Sequence, residues 1–208
     1  MVGIDLVHMA WGSNWRGDPA YQHRDYLRRI SSAQEREWVL GAIRPDTALW
    51  QLWAAKEATY KALSPADSVP AFRPAEIAVR WRSHGPAHSG EAQWGAARTH
   101  VVARTDEQCA YAIAVRMGRP PIALEHGVFP AREILALSET TDIGPAEQSE
   151  AGMRAAAYLL KLIGIGSAEI ARAESGRPYV RAQPHVSVSW SHDDDWVAAI
   201  AAIERGIQ

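Results

Sequence analysis

The stretch from Thr47 to Leu63 constrains the fold of this 208-residue chain more than any other segment. Trp50, Trp53, Ala54, Glu57 and Lys61 follow a helical spacing and share one face, apolar at one end and ionic at the other. Leu49, Leu52 and Leu63 cover another side, so the helix is expected to be buried over much of its girth. Asp46 can cap its start and Pro65 stops it. An exposed i, i+4 Glu–Lys pair contributes only about 0.3–0.5 kcal/mol. On a largely buried helix the same two residues need further partners, such as a metal and a phosphate.

Two other constellations point the same way. Val2 to Val7 reads as a short strand with one acid, Asp5, among apolar neighbours. Burying a lone carboxylate costs several kcal/mol unless a metal, a cation or an exposed strand end compensates it. Near the other end, a strand runs into Ser189-Trp190-Ser191-His192 and then the acidic run Asp193-Asp194-Asp195. A hydroxyl, an imidazole and free turn amides suit a phosphate monoester. The three aspartates read as a solvated turn. Upstream, Gly176-Arg177-Pro178 can deliver a guanidinium to the same phosphate.

The remaining segments suggest an α+β protein. Ser32-Ala33-Gln34-Glu35 has capping-box spacing before a helix to about Leu40. The segment before it, to about Asp25, reads as irregular loop. Strand-like runs follow at Glu76 to Trp81, Thr99 to Arg104 and Cys109 to Val115, and residues 117–121 resemble a linker. A second long helix is expected from Glu147 to Ile163, then strands at Arg177 to Val180, His185 to Trp190 and Trp196 to Ile203. Val101 to Val115 aligns without a gap on Val188 to Ala202, each a strand, a polar turn and an alanine-rich strand. Runs this short favour two α+β half-domains, each a small antiparallel sheet packed on helices, over a doubly wound sheet.

Composition narrows the function. Net charge is −2, so no global field recruits nucleic acid or an anionic membrane. No run reaches membrane-span length and the N-terminal residues lack a basic-then-apolar signal layout, so a cytoplasmic protein is expected. Cys109 is the single cysteine and reads as a buried, inert thiol. His84 and His88 are separated by Gly85 and Pro86, which deny them a helix. Gly118-Arg119-Pro120 repeats the Gly-Arg-Pro string within the linker. No Walker loop, dinucleotide fingerprint or nucleophile elbow is present.

Together these pieces resemble the phosphopantetheinyl transferase superfamily. Gly3-Ile4-Asp5 is similar to its aspartate-strand motif, and Trp53, Lys56, Glu57 and Lys61 match its helix motif Trp-x-x-Lys-Glu-x-x-x-Lys. Gly176-Arg177-Pro178 and Ser191-His192 look like its nucleotide-side Gly-Lys-Pro and Ser-His motifs. Arg28-Arg29-Ile30-Ser31 with Glu35 resembles the segment between its two acidic motifs. The resemblance implies transfer of 4′-phosphopantetheine from coenzyme A to a serine of an apo acyl or peptidyl carrier protein. It implies that Asp5 and Glu57 hold Mg²⁺, with Mn²⁺ an alternative, that Glu57 activates the carrier serine, and that Lys61 binds the pyrophosphate. Arg177, Ser191 and His192 would hold the 3′-phosphate.

Two departures accompany the resemblance. Val7 stands where the two-half, surfactin-type enzymes usually have a further acid. The Gly-Arg-Pro and Ser-His motifs also follow the aspartate strand and Lys-Glu helix, whereas in two-half enzymes they precede them. A circular permutation accounts for this order, with a metal half at residues 1–118 and a nucleotide-side half at 122–208. The helix from Glu150 to Ile163 resembles the one that opens the first half of the two-half enzymes. A monomer would then suffice, with an acidic carrier approaching near Arg24, Arg28, Arg29 and Arg36. The alternatives are a catalytically impaired module that binds coenzyme A or a carrier, and a metal-dependent phosphohydrolase.

Overall fold

A computed structural model describes residues 1–9, 24–64, 70–82, 87–106, 108–118, 120–138 and 142–205. His84, Arg119 and most of the expected loop before Asp25 lie outside the described residues. The chain forms β1 (Val2–His8), three helices α1 (Arg24–Ile30), α2 (Ala33–Leu40) and α3 (Pro45–Leu63), then β2 (Ile77–Trp81), β3 (Ala87–Trp94), β4 (Ala97–Thr105) and β5 (Cys109–Arg116). It continues with β6 (Pro121–Pro130), α4 (Ala131–Leu135), α5 (Pro145–Leu162), β7 (Ile170–Arg172), β8 (Pro178–Val180), β9 (Val186–Asp193) and β10 (Trp196–Glu204). The mixture of helices and antiparallel sheets is the α+β class expected.

The first sheet has the order β1-β5-β4-β3-β2 and the second β6-β10-β9, while β7 and β8 form a two-stranded ribbon. Helix α3 lies on the first sheet, its Ala54, Ala55, Ala58 and Ala62 fully buried against β2 to β5. Helix α5 covers the second through Ala155, Ala156, Leu159 and Leu160. Strand β1 also ties the two sheets together. Its Val2, Ile4 and Leu6 pack on Ala198, Ile200 and Ala202 of β10. Full burial of each Val, Ile or Leu side chain among these contributes about 1.5–3 kcal/mol.

The opposite face of β1 presents Gly3, Asp5 and Val7. Gly3 lets α3 approach the strand: a Cβ there would strike the Ala58 carbonyl and come within 2.8 Å of Ala62 N. The missing side chain thus sets the distance between the aspartate strand and the ionic end of the helix.

Several expectations change. Ser32 and Glu35 form the full capping box predicted. Helix α3, however, starts at Pro45 with Arg44 as N-cap, so Asp46 lies in its first turn instead of capping it. Pro121, the last residue of the expected linker, already begins β6, a strand that the sequence reading missed. Its flanking prolines and its half-buried residues without alternation hide it, and edge strands tolerate proline. The two aligned segments are both hairpins, β4–β5 and β9–β10, but the second turns at Asp194 and Asp195, leaving His192 and Asp193 in the strand.

Candidate functional site

Asp5 is 2% exposed at the centre of β1. Its Oδ1 accepts from Lys61 Nζ at 2.7 Å and from Ser191 Oγ at 2.7 Å. Lys61 Nζ also donates to the Ile4 carbonyl at 3.2 Å and lies 3.5 Å from Glu57 Oε1. One ammonium therefore stands between two carboxylates, one from the strand and one from the helix one turn earlier. The i, i+4 pair predicted from sequence exists, but its shorter contact is to Asp5. Tyr26 of α1 is a third neighbour, its phenol pushed above its usual range by burial and by Glu57, against Arg29. The sequence reading left Tyr26 without a role because only tertiary packing of α1 brings it near α3.

Burial raises the Asp5 carboxyl to about 7, with Glu57 adding to the effect and Lys61 and Ser191 opposing it. Burial opposes the Lys61 charge as well, yet Asp5 and then Glu57 outweigh it and hold the ammonium above its usual range. A carboxyl with a raised folded-state pKa favours the folded state most when protonated. Its contribution is complete below the unfolded value of 3.8 and is lost as pH rises towards about 7. Lys61 titrates far above this window. Urea unfolding at several pH values is therefore expected to show wild-type stability falling between pH 4 and 7 relative to Asp5→Asn (window from the Asp5 shift). Parallel curves for the two proteins across that range would contradict the assignment.

Lys56, the other lysine of the helix motif, points the opposite way. It is fully buried, 2.9 Å from Glu35 Oε1, and donates to the carbonyls of Pro74 and Ile77. Glu35 also accepts from Ser32 N and Val79 N, both at 2.7 Å. Adjacent residues thus divide the work: Lys56 locks α3 to α2 and β2, and Glu57 faces the site.

The other wall comes from the second sheet and the ribbon. A cleft of about 240 Å³ has Lys61 and Tyr60 on one side and Arg172, Arg177 and Trp190 on the other. A larger cleft of about 500 Å³ meets it at Arg177, Pro178 and Val188. Gly176, with φ of 80°, makes the tight turn that carries Arg177 towards α3. The Arg177 guanidinium donates to the Ser64 carbonyl at the helix end. Arg172, which sequence reasoning passed over, lies 4.9 Å above the Trp190 ring and donates to Gly176 O at 2.9 Å. Its signal was present, four residues before the glycine of the Gly-Arg-Pro turn.

His192 is exposed at the end of β9 beside these cations. Partial desolvation of its ring, then Lys61 and Arg172, lower its pKa, while Asp193 opposes them. Ser191 lies on β9 next to it and turns its hydroxyl to Asp5. The structure thus brings Asp5, Glu57, Lys61 and Ser191 together, with Arg177 across the cleft from Lys61.

The acidic run is not merely solvated. Asp193 Oδ2 accepts the His8 backbone N–H at 2.9 Å, Asp194 Oδ2 lies 2.9 Å from His8 Nδ1, and Asp195 pairs with Arg132 at 3.4 Å. The first two pin β1 to the β9–β10 hairpin. Cys109 is buried, and burial, then Asp106 and Asp193, push its thiol up to about 12, which keeps it unreactive near neutrality. His88 packs edge-on against Trp38 at 5.2 Å. Among the described residues no three His, Cys, Asp or Glu side chains cluster as a metal site. No described helix is long and apolar enough to cross a membrane.

An aspartate-bearing strand and a Lys-Glu helix meet at Lys61, which lines a cleft whose far wall carries Arg172 and Arg177. The family model of the 4′-phosphopantetheinyl transferase superfamily matches residues 1–114, more than half of the chain. The chain belongs to that superfamily. No curated protein matches it.

Proposed function

We propose that the chain transfers 4′-phosphopantetheine from coenzyme A to a serine of an apo acyl or peptidyl carrier protein, releasing 3′,5′-ADP. The observation that carries this reading is the meeting of Asp5 and Glu57 on the ammonium of Lys61, which lines a cleft whose far wall bears Arg177 and Arg172. Asp5 and Glu57 form a hard-oxygen donor pair that already shares one cation, the Lys61 ammonium, and such a pair fits Mg²⁺ or Mn²⁺. A bound metal would supply neutralisation of pyrophosphate charge. Lys61 adds a second positive charge there, and Arg177, Arg172 and His192 hold the 3′-phosphate.

In the transfer, the carrier serine oxygen attacks the phosphorus bearing the pantetheine arm, and the bond from that phosphorus to the 3′,5′-ADP oxygen breaks. The serine proton passes to Glu57 directly or through a water. Phosphoryl-type transfer of this kind needs charge neutralisation and in-line positioning more than covalent help. Arg24, Arg28 and Arg29 are exposed on α1, near the Tyr26 side of the site, and offer an acidic carrier a docking face. Arg36 is less available, since its guanidinium holds the Ser31 carbonyl at 2.7 Å.

The halves are read as permuted, with the metal half at 1–118 and the nucleotide-side half at 122–208. Strand order supports this: β1 pairs with β5 of the β4–β5 hairpin as β6 pairs with β10 of the β9–β10 hairpin. A monomer then contains both walls. A second reading, a module that binds coenzyme A without turnover, draws on Val7, which leaves the donor set at two carboxylates. Incubation with coenzyme A, Mg²⁺ and an apo carrier separates the two. A gain of one phosphopantetheine mass on the carrier is expected; coenzyme A binding without a gain on any of several carriers would favour the module.

A further inference from the structure

The connection from α2 to α3 turns Ala42 onto the core and leaves Ile43 fully exposed, while Leu40 in the last turn of α2 is half-exposed. A single apolar side chain in solvent is ordinary. Here two stand three residues apart, and the exposed charges around them are mainly arginines. Arg44 follows Ile43 in the chain. Arg36, one turn before Leu40, holds the Ser31 carbonyl just beyond α1, whose last turn carries Arg28 and Arg29. The acids nearby are fewer: Asp25, which pairs with Arg28 at 3.3 Å, Glu37 and the half-buried Asp46. An apolar centre with a cationic rim fits a protein that presents an apolar residue among acidic ones. The surface is also held in place. Its capping box and the Glu35–Lys56 pair fix α2, so docking orders little that was loose.

This surface is within reach of the site. Helix α3 begins at Pro45, and at about 1.5 Å per residue Glu57 stands about 20 Å from Arg44. Between them, Tyr26 of α1 packs on Trp50 and Trp53 with ring centroids 6.3 and 5.7 Å apart, on the face of α3 that carries Glu57. A domain of about 100 residues has a radius of gyration of about 13 Å, so one such domain spans both places. We propose that Leu40 and Ile43 are the apolar anchor, and Arg28, Arg29 and Arg44 the charged rim, on which a small acidic protein domain docks with its serine at Glu57. That this domain is an apo carrier rests on the proposed function; the anchor itself does not.

The experiment compares wild type with Ile43→Ser, Ile43→Leu and Arg44→Glu. The Ile43 side chain is fully exposed, so Ile43→Ser should leave the thermal melt unchanged. Binding of a fluorescently labelled apo acyl carrier protein is measured without coenzyme A, and KM is measured for the carrier and for coenzyme A. Ile43→Ser is expected to weaken carrier binding and raise the carrier KM by about tenfold, the scale of one buried aliphatic side chain, with KM for coenzyme A unchanged. Ile43→Leu should retain wild-type binding, and Arg44→Glu should weaken it more at low salt than at high salt. Equal carrier affinity in wild type and Ile43→Ser, no measurable carrier binding by wild type, or an equal rise in KM for coenzyme A overturns the proposal. So does a wild-type dimer in sedimentation velocity that Ile43→Ser dissociates, which would make the surface an interface between two copies. A carrier that binds through Ile43 and is never modified sinks the proposed function and leaves the anchor standing. A carrier that is modified without any response to Ile43→Ser does the reverse.

Discussion

Glu35→Ala is expected to lower the unfolding free energy by about 3–5 kcal/mol, because it leaves a buried ammonium without its counter-charge. Lys56 has no exposed surface, and burial already pulls its pKa below the usual range while Glu35 opposes the shift. The same substitution removes the acceptors of Ser32 N and Val79 N. At this chain length the loss corresponds to a melting temperature lower by roughly 10 °C, at about 2–4 °C per kcal/mol. The carbonyls of Pro74 and Ile77 remain on Lys56, but dipoles do not replace a carboxylate. Replacing both members, as in Glu35→Leu with Lys56→Met, should recover part of the loss, since removing a buried pair together is far less costly than breaking it. Urea unfolding of the two singles and the double measures this. A Glu35→Ala loss below about 1 kcal/mol, the scale of a surface pair, would mean that the latch carries little.

Glu57→Gln is expected to reduce kcat/KM for transfer by at least about a thousandfold, since a general base alone contributes 10²–10⁴-fold and the change also removes one of two metal-side carboxylates. Stability should change little. The Glu57 side chain is 28% exposed, and Lys61 keeps its 2.7 Å contact to Asp5. The glutamine is nearly isosteric, so the neighbouring Tyr26–Trp53 ring contact is expected to persist. The pairing of lost activity with an unchanged melt separates a chemical role from a structural one. Residual activity within tenfold of wild type would refute both roles assigned to Glu57.

These two residues also mark what sequence can and cannot reveal. Asp5, Glu57 and Lys61 were legible because each depends on short-range rhythm: an acid in an apolar strand, and an i, i+4 pair on a helix. Gly3 two residues before Asp5 completes the fit between strand and helix. The direction of Lys56 was not legible, since its partner Glu35 lies 21 residues away and its burial depends on α2 and β2 closing over it. Strand β6 was hidden because an edge strand with proline at each end breaks the alternation by which strands are read. The aspartates of the β9–β10 turn read as solvated because their partners His8 and Arg132 are distant in sequence. The Ser-His motif was found, yet the direction of Ser191 follows from the pairing of β9 with β10 beside β1.

On the proposed reading one chain supplies both walls of the site, Asp5, Glu57 and Lys61 from the first sheet and its helix, and Arg177 from the turn of the β7–β8 ribbon. Mixing two inactive variants tests it most directly. Glu57→Gln and Arg177→Ala are each prepared, combined in equal amounts, and assayed by the mass of an apo carrier after incubation with coenzyme A and Mg²⁺. The mixture is expected to transfer no faster than the sum of the two variants alone, because each chain retains one damaged wall. Recovery of a substantial fraction of wild-type transfer on mixing would place the two walls on different chains and contradict it.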